Sequence, residues 1–245
     1  MRTSKALVLI LLLIGLWPVP SRADPGYYLI TPYERAGETD VSFHYWTVEP
    51  KQQSKMVWPE IGLGYGVTKR WYTKVYASGI GPGLNSTSLD TLNWQNDYLL
   101  TQGQYPFDLA VHTNLVLNRD HADGKAFEFG PVLQTDVGRV QVNTNLVFSR
   151  PFQQERPTAT QLRYQWQLKY RWQPKLQFGL QGFGELGAWD HWASADRQSH
   201  RAGPLLAGTW VLGPRRELRY QVAWLSGKTY GQSGSMLSAR LQYVF

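Results

Sequence analysis

Cysteine is missing from all 245 residues. That removes disulfides, thiolate metal sites, a thiol nucleophile and a lipid anchor on an N-terminal cysteine. Long apolar runs are missing too, apart from Ala6 to Trp17 near the start, and that run is shorter than the roughly 20 residues a helix needs to cross a bilayer. A helical membrane protein is therefore excluded. Charge of one sign is also scarce. Removing Arg2, Lys5 and Arg22 from the 25 basic residues leaves 22 against 18 acidic ones, a net +4 that is too small and too dispersed for nucleic-acid binding.

What is present begins with the first 23 residues. Arg2 and Lys5 precede the apolar run, and "PVPSRA" follows it with Ser21 and Ala23 in small-residue positions. This is the pattern of a secretory signal peptide over 1-23, so the mature chain is expected to begin near Asp24. An exported chain without cysteine leans away from a disulfide-bonded sandwich.

The stretch "LRYQWQLKYRW" then sets Leu162, Tyr164, Trp166, Leu168, Tyr170 and Trp172 against Arg163, Gln165, Gln167, Lys169 and Arg171. Period-two alternation over eleven residues marks a strand with one greasy and one wet face. In a soluble sandwich the greasy face turns inward; in a barrel spanning a bilayer it turns outward. Twelve segments share the pattern, at about 38-47, 57-67, 70-78, 88-100, 105-118, 125-135, 139-149, 160-172, 175-189, 201-212, 216-226 and 235-245.

Their connections alternate in length. Short ones fall at 68-70, 101-104, 136-139, 173-175 and 213-216; long ones fall at 48-56, 78-88, 118-125, 149-158, 189-200 and 226-235. Outer-membrane barrels have an even strand number, short periplasmic turns and longer external loops. The expected fold is thus all-β: a transmembrane antiparallel up-and-down barrel of about twelve strands over 38-245, with 24-37 as a short periplasmic N-terminal segment. The negative mean hydropathy does not oppose this, since interleaving hides a barrel from window averages. Eleven tryptophans, among them Trp46, Trp58, Trp71, Trp172, Trp189, Trp192 and Trp210 near strand ends, suit aromatic girdles.

With the apolar face on lipid, parity turns Arg163, Gln165, Gln167, Lys169 and Arg171 toward the lumen, because a cation near mid-membrane on the lipid face costs on the order of 2-4 kcal/mol. The same parity points Gln177, Gln181, Glu185, Asp97, Asp108, His112, Glu60, Arg219 and Arg240 inward. These fourteen residues are the expected pore lining, a wall mixed in charge and rich in amides. Other inward positions include His44, Asn114, Glu128, Asn143, Asn145, Gln221 and Gln242.

Motifs that carry chemistry are few. The glycine clusters "GLGYG" (62-66) and "GLQGFGELG" (179-187) lie within strands rather than at a helix start, so they serve close backbone approach instead of phosphate binding. "GQSGS" (231-235) misses the nucleophile elbow by one residue and is expected as loop. His121 beside Asp120 and His191 beside Asp190 would bind a metal only if loops converged. No catalytic residue, metal or cofactor is expected.

The chain stops on "LSARLQYVF", where Tyr243 and the terminal Phe245 share an apolar face. This end resembles the C-terminal signal of Gram-negative outer-membrane proteins, and the resemblance implies outer-membrane lipids as surroundings and the barrel-assembly machinery as a partner during biogenesis. "PEIGLGYGVTKRWYTKVYAS" (59-78) and "RYQWQLKYRWQPKLQFGLQGFGELG" (163-187) resemble hairpins of porin-like barrels in the meta-pathway phenol-degradation family, which implies transport of small, including aromatic, compounds. Strand number alone is similar to outer-membrane phospholipase A, but its lipid-facing His, Ser and Asn have no counterpart here, since His112 and Asn114 carry inward parity. The leading expectation is a narrow channel for passive passage of a small-molecule solute. A plugged structural or assembly barrel without a pore, and a lipid-surface hydrolase, are the alternatives.

Overall fold

A computed structural model describes residues 27–32, 36–50, 54–229 and 231–245; the expected signal peptide lies outside them. The chain forms β1 (Thr39–Pro50), β2 (Met56–Gly66), β3 (Trp71–Ile80), β4 (Ser88–Leu99), β5 (Phe107–Asn118), β6 (Lys125–Val137), β7 (Val140–Phe152), β8 (Gln161–Gln173), β9 (Leu176–Ala188), β10 (His191–Trp192), β11 (Ser199–Gly213), β12 (Arg216–Thr229) and β13 (Gln232–Val244). All but the two-residue β10, which folds back on the end of β9, are staves of one closed antiparallel barrel. Successive staves pair in order, and β13 pairs with β1 to remove the last free edge, with Phe43 opposite Leu241 and His44 opposite Arg240. Each of the twelve expected segments overlaps one stave.

Closure satisfies the backbone of every stave without a partner molecule, the condition for crossing a bilayer with strands. The outer face carries the large apolar residues: Ile61 is 61% exposed and Val75 58%, with Leu63, Trp94, Leu206, Trp224 and Leu241 also exposed. Such a continuous belt has no place in water and fits lipid. Two outward glycines make room within it. A Cβ on Gly182 would strike the Trp166 indole and one on Gly184 the Tyr164 ring, so β8 lays its aromatics over bare β9 backbone, the device known as aromatic rescue.

The staves run further toward the long-loop end than alternation indicates. Glu49 still pairs with Ser235, Lys125 with Phe152, and Thr229 with Gln232, all at positions expected in loops. "GQSGS" is therefore mostly strand, since β13 begins at Gln232. The reason is physical: beyond the apolar belt both faces are wet, so the ladder continues while the hydropathy pattern that announced it stops.

Candidate functional site in the barrel interior

The interior face is built by the parity of the staves. His44, Glu60, Lys74, Asp97, His112, Asn114, Glu128, Gln165, Gln167, Gln181, Arg201 and Gln242 are buried there. Arg163, Lys169, Arg171, Gln177, Glu185, Asp108, Arg219 and Arg240 are partly buried on the same face. Tyr243 and Phe245 stack outside at 5.5 Å between ring centres.

Four carboxylates organise the middle and long-loop part of this space. Glu60 accepts from His44 Nδ1 at 2.7 Å and Ser78 Oγ at 3.0 Å, with Lys74 Nζ at 3.8 Å. Asp97 meets His112 Nδ1 at 2.6 Å and Gln95 Nε2 at 2.5 Å. Glu128 is bonded by Arg163 and, at 3.1 Å, by Asn114. Glu185 is bonded by Tyr27 and approached by Arg201 at 3.4 Å. Each acid has a basic partner, as charges withdrawn from water require. Asp108 stands apart, accepting from Thr101 at 3.3 Å, and Arg171 pairs with Asp136 at the rim at 3.1 Å.

The larger finding is what fills the centre. Residues 27–32 belong to the segment expected outside the barrel on the periplasmic side, yet they run through its interior. The chain passes the short-turn mouth where Gly37 N donates to Gly66 O at 2.7 Å and Gly66 N to Glu38 O at 3.0 Å. Thr31 lies nearest that end, beside Lys169 and Arg219; Tyr27 lies toward the long loops, against Trp46 and Phe183. Tyr27, Tyr28, Leu29 and Ile30 are all buried. Placed outside, these four side chains would face water, and burying an aliphatic or aromatic side chain is worth about 1.5–3 kcal/mol.

This segment joins no ladder, and wall side chains bond part of its backbone instead. Gln165 Oε1 accepts from Ile30 N at 3.1 Å, Asn145 Nδ2 donates to Ile30 O at 2.8 Å, and Ser238 Oγ donates to Tyr27 O at 2.6 Å. Arg201 caps the Tyr27 ring at 4.3 Å, and Tyr28 packs on the His44 ring at 4.2 Å. The inward amides thus have a use that parity could not disclose: they hold a strap of backbone. Around Tyr28 and Ile30 the remaining space is broken into cavities of about 30 and 20 Å3, room for single waters.

Two of the expected girdle residues are corrected by this packing. Trp46 and Trp58 are buried and belong, with Val48, Leu225, Met236 and Phe183, to an apolar cluster inside the long-loop end that includes Tyr27 and Tyr28. Trp71, Trp172, Trp189, Trp192 and Trp210 are exposed on the outside. Sequence reasoning missed Tyr27, Tyr28, Lys74 and Arg201. The available signal was "YYLI", an apolar tetrapeptide in a segment with no other reason to be apolar, and the inward trio Tyr72, Lys74, Tyr76, which blurs the alternation of β3.

The glycine cluster of β2 also contributes. Gly64 lies beneath the Tyr72 hydroxyl where it donates to Asp40 at 2.8 Å, and a Cβ would occupy that hydroxyl's place. His112 and Asn114 are bonded into the interior network and present nothing to lipid. Among the described residues no group of three His, Cys, Asp or Glu is positioned to hold a metal ion.

Comparison with known proteins defines the class of fold. An outer-membrane channel from Pseudomonas putida F1 matches with TM-score 0.60 and 12% identity over 91% of this chain and 98% of its own. The NanC porin matches with TM-score 0.56 and 12% identity over 84% of this chain and 98% of its own. Outer membrane phospholipase A from Escherichia coli matches at TM-score 0.47 and 12% identity over 90% and 93%. No protein-family model matches the chain, and no curated protein matches it. The fold is that of the closed outer-membrane β-barrel channels.

Proposed function

We propose that this protein is an outer-membrane channel for small solutes whose lumen is closed, in the state described, by its own residues 27–32. The observation that carries the reading is the binding of that segment by wall side chains alone. A stave is fixed by a full ladder, whereas this strap is held by a few side-chain hydrogen bonds and by packing. Its removal would leave the barrel's backbone pairing intact and expose a polar passage walled by the Gln, Asn and paired charges named above. The short turns then face the periplasm, and the strap of residues 27–32 closes the lumen nearest that side at Thr31. Solute identity follows from the size and polarity of the freed passage, which suits small polar or amphipathic molecules better than lipids.

The same plug also favours a second reading, a barrel that never opens and serves a structural role. Conductance of the folded mature protein in a planar bilayer separates the two, with heat-dependent gel mobility reporting folding. The channel reading expects brief, small openings from the native chain, and long openings of higher conductance from Tyr27→Ala/Tyr28→Ala or from a chain lacking residues 24–32. Silence from folded samples of all three supports the structural barrel.

A further inference from the structure

The interior has a second compartment that the strap does not fill. At the short-turn end a cavity of about 150 Å3 lies among β8, β9, β11, β12 and β13, and its walls include Lys169, Arg219 and Arg240 but no acidic residue. From this geometry we infer a binding site for a small oxyanion, a carboxylate or phosphate, entered from the short-turn mouth. The inference stands whether or not the barrel conducts.

The charges around this cavity are arranged differently from those of the strap. Glu60, Asp97, Glu128 and Glu185 near the strap each have a basic partner. Here, among the described residues, Lys169 forms neither a salt bridge nor a hydrogen bond, Asp136 acting on it only from a distance, and Arg240 reaches only neutral oxygens, Gln242 Oε1 at 2.9 Å and Leu29 O at 3.5 Å. Arg219 meets Glu217 at 3.2 Å. Acids toward this end have other partners: Asp136 pairs with Arg171 at 3.1 Å, Asp40 accepts from the Tyr72 hydroxyl at 2.8 Å and Asp108 accepts from Thr101 at 3.3 Å, and none of them lines the cavity. Three cations converging on one enclosed space repel one another, and an anion among them removes that repulsion.

The chemistry of the walls names the ligand class. A lysine supplies a point charge and a guanidinium a planar fork, the pair of donors that phosphate and carboxylate groups select, while Thr31, Thr209 and Gln177 supply neutral polar contacts on the same walls. The cavity is well below the roughly 300–1,000 Å3 of sites for drug-sized molecules, so the occupant is an inorganic oxyanion or a short carboxylate. Its cations face the lumen, and the staves separate them from bilayer headgroups, which makes a free solute the source.

The test is equilibrium titration of the folded, full-length mature protein in detergent with inorganic phosphate, and separately with acetate, followed by calorimetry. Saturable binding near one anion per barrel is expected. Lys169→Gln/Arg240→Gln should weaken it roughly tenfold or more, in line with the loss of charge-assisted hydrogen bonds, while Arg139→Gln in an exposed turn should not change it. Lys169→Met alone serves if the double variant does not fold. Absence of saturable binding by both anions, or equal affinity in the native chain and the Lys169 variants, overturns the site.

Discussion

The two ends of the barrel interior solve the same problem in opposite ways. Toward the long loops, Trp46, Trp58, Phe183, Leu225 and Met236 pack with Tyr27 and Tyr28 into an apolar cluster, and below it each buried acid is matched by a base. Toward the short turns the wall is wet, the cations outnumber the acids facing them, and a cavity remains. One end behaves like the core of a small soluble protein and the other like a solvent-filled vestibule. The difference teaches that a lumen is not uniform: the same inward parity can supply a plug seat or an open site, depending on which residues the strap reaches.

Mutations that separate the ends should differ in magnitude. The largest effect is expected for Glu128→Ala, which leaves Arg163 without its buried acid; with side chains only 12% and 10% exposed, the loss should be about 3–5 kcal/mol, read as a lower urea midpoint in detergent-to-vesicle unfolding. A value under 1 kcal/mol would show that the middle of the lumen is as hydrated as the vestibule. Ser238→Ala removes one hydrogen bond to the Tyr27 carbonyl, worth about 0.5–1.5 kcal/mol. Limited proteolysis should then cut the 27–32 segment faster while the barrel keeps its heat-modifiable mobility; an unchanged rate would mean packing alone holds the strap. The smallest effect belongs to Arg219→Ala. Its pair with Glu217 is 28% and 15% exposed, so the change should fall within about 1 kcal/mol, and a loss comparable to Glu128→Ala would erase the contrast between the ends.

The staves were legible because the bilayer imposes a period-two code on every residue that touches it. Arg163, Gln165, Gln167, Lys169 and Arg171 could be placed on one face from "LRYQWQLKYRW" alone, and the alternation of short and long connections gave the up-and-down order. Where no lipid presses, the code is silent. Thr229 and Gln232 pair in a region read as loop, and Trp46 was legible as inward, since it shares the parity of His44, but its place near a strand end favoured an interface over that parity. The partners were illegible for a further reason: His44 meets Glu60 across a stave pair, but Glu128 meets Arg163 across 35 residues and Tyr27 meets Glu185 across 158.

The amino-acid sequence by itself determined an antiparallel sheet of twelve staves, its polarity and its wet inner face, because strand parity and the cost of charge in lipid are local rules read one residue at a time. Only the tertiary structure decided the register at which β13 meets β1, that "YYLI" runs inside the barrel, and that Lys169, Arg219 and Arg240 converge. Those outcomes depend on distances across a closed ring, and no local period encodes a distance between residues that meet only after the ring has closed.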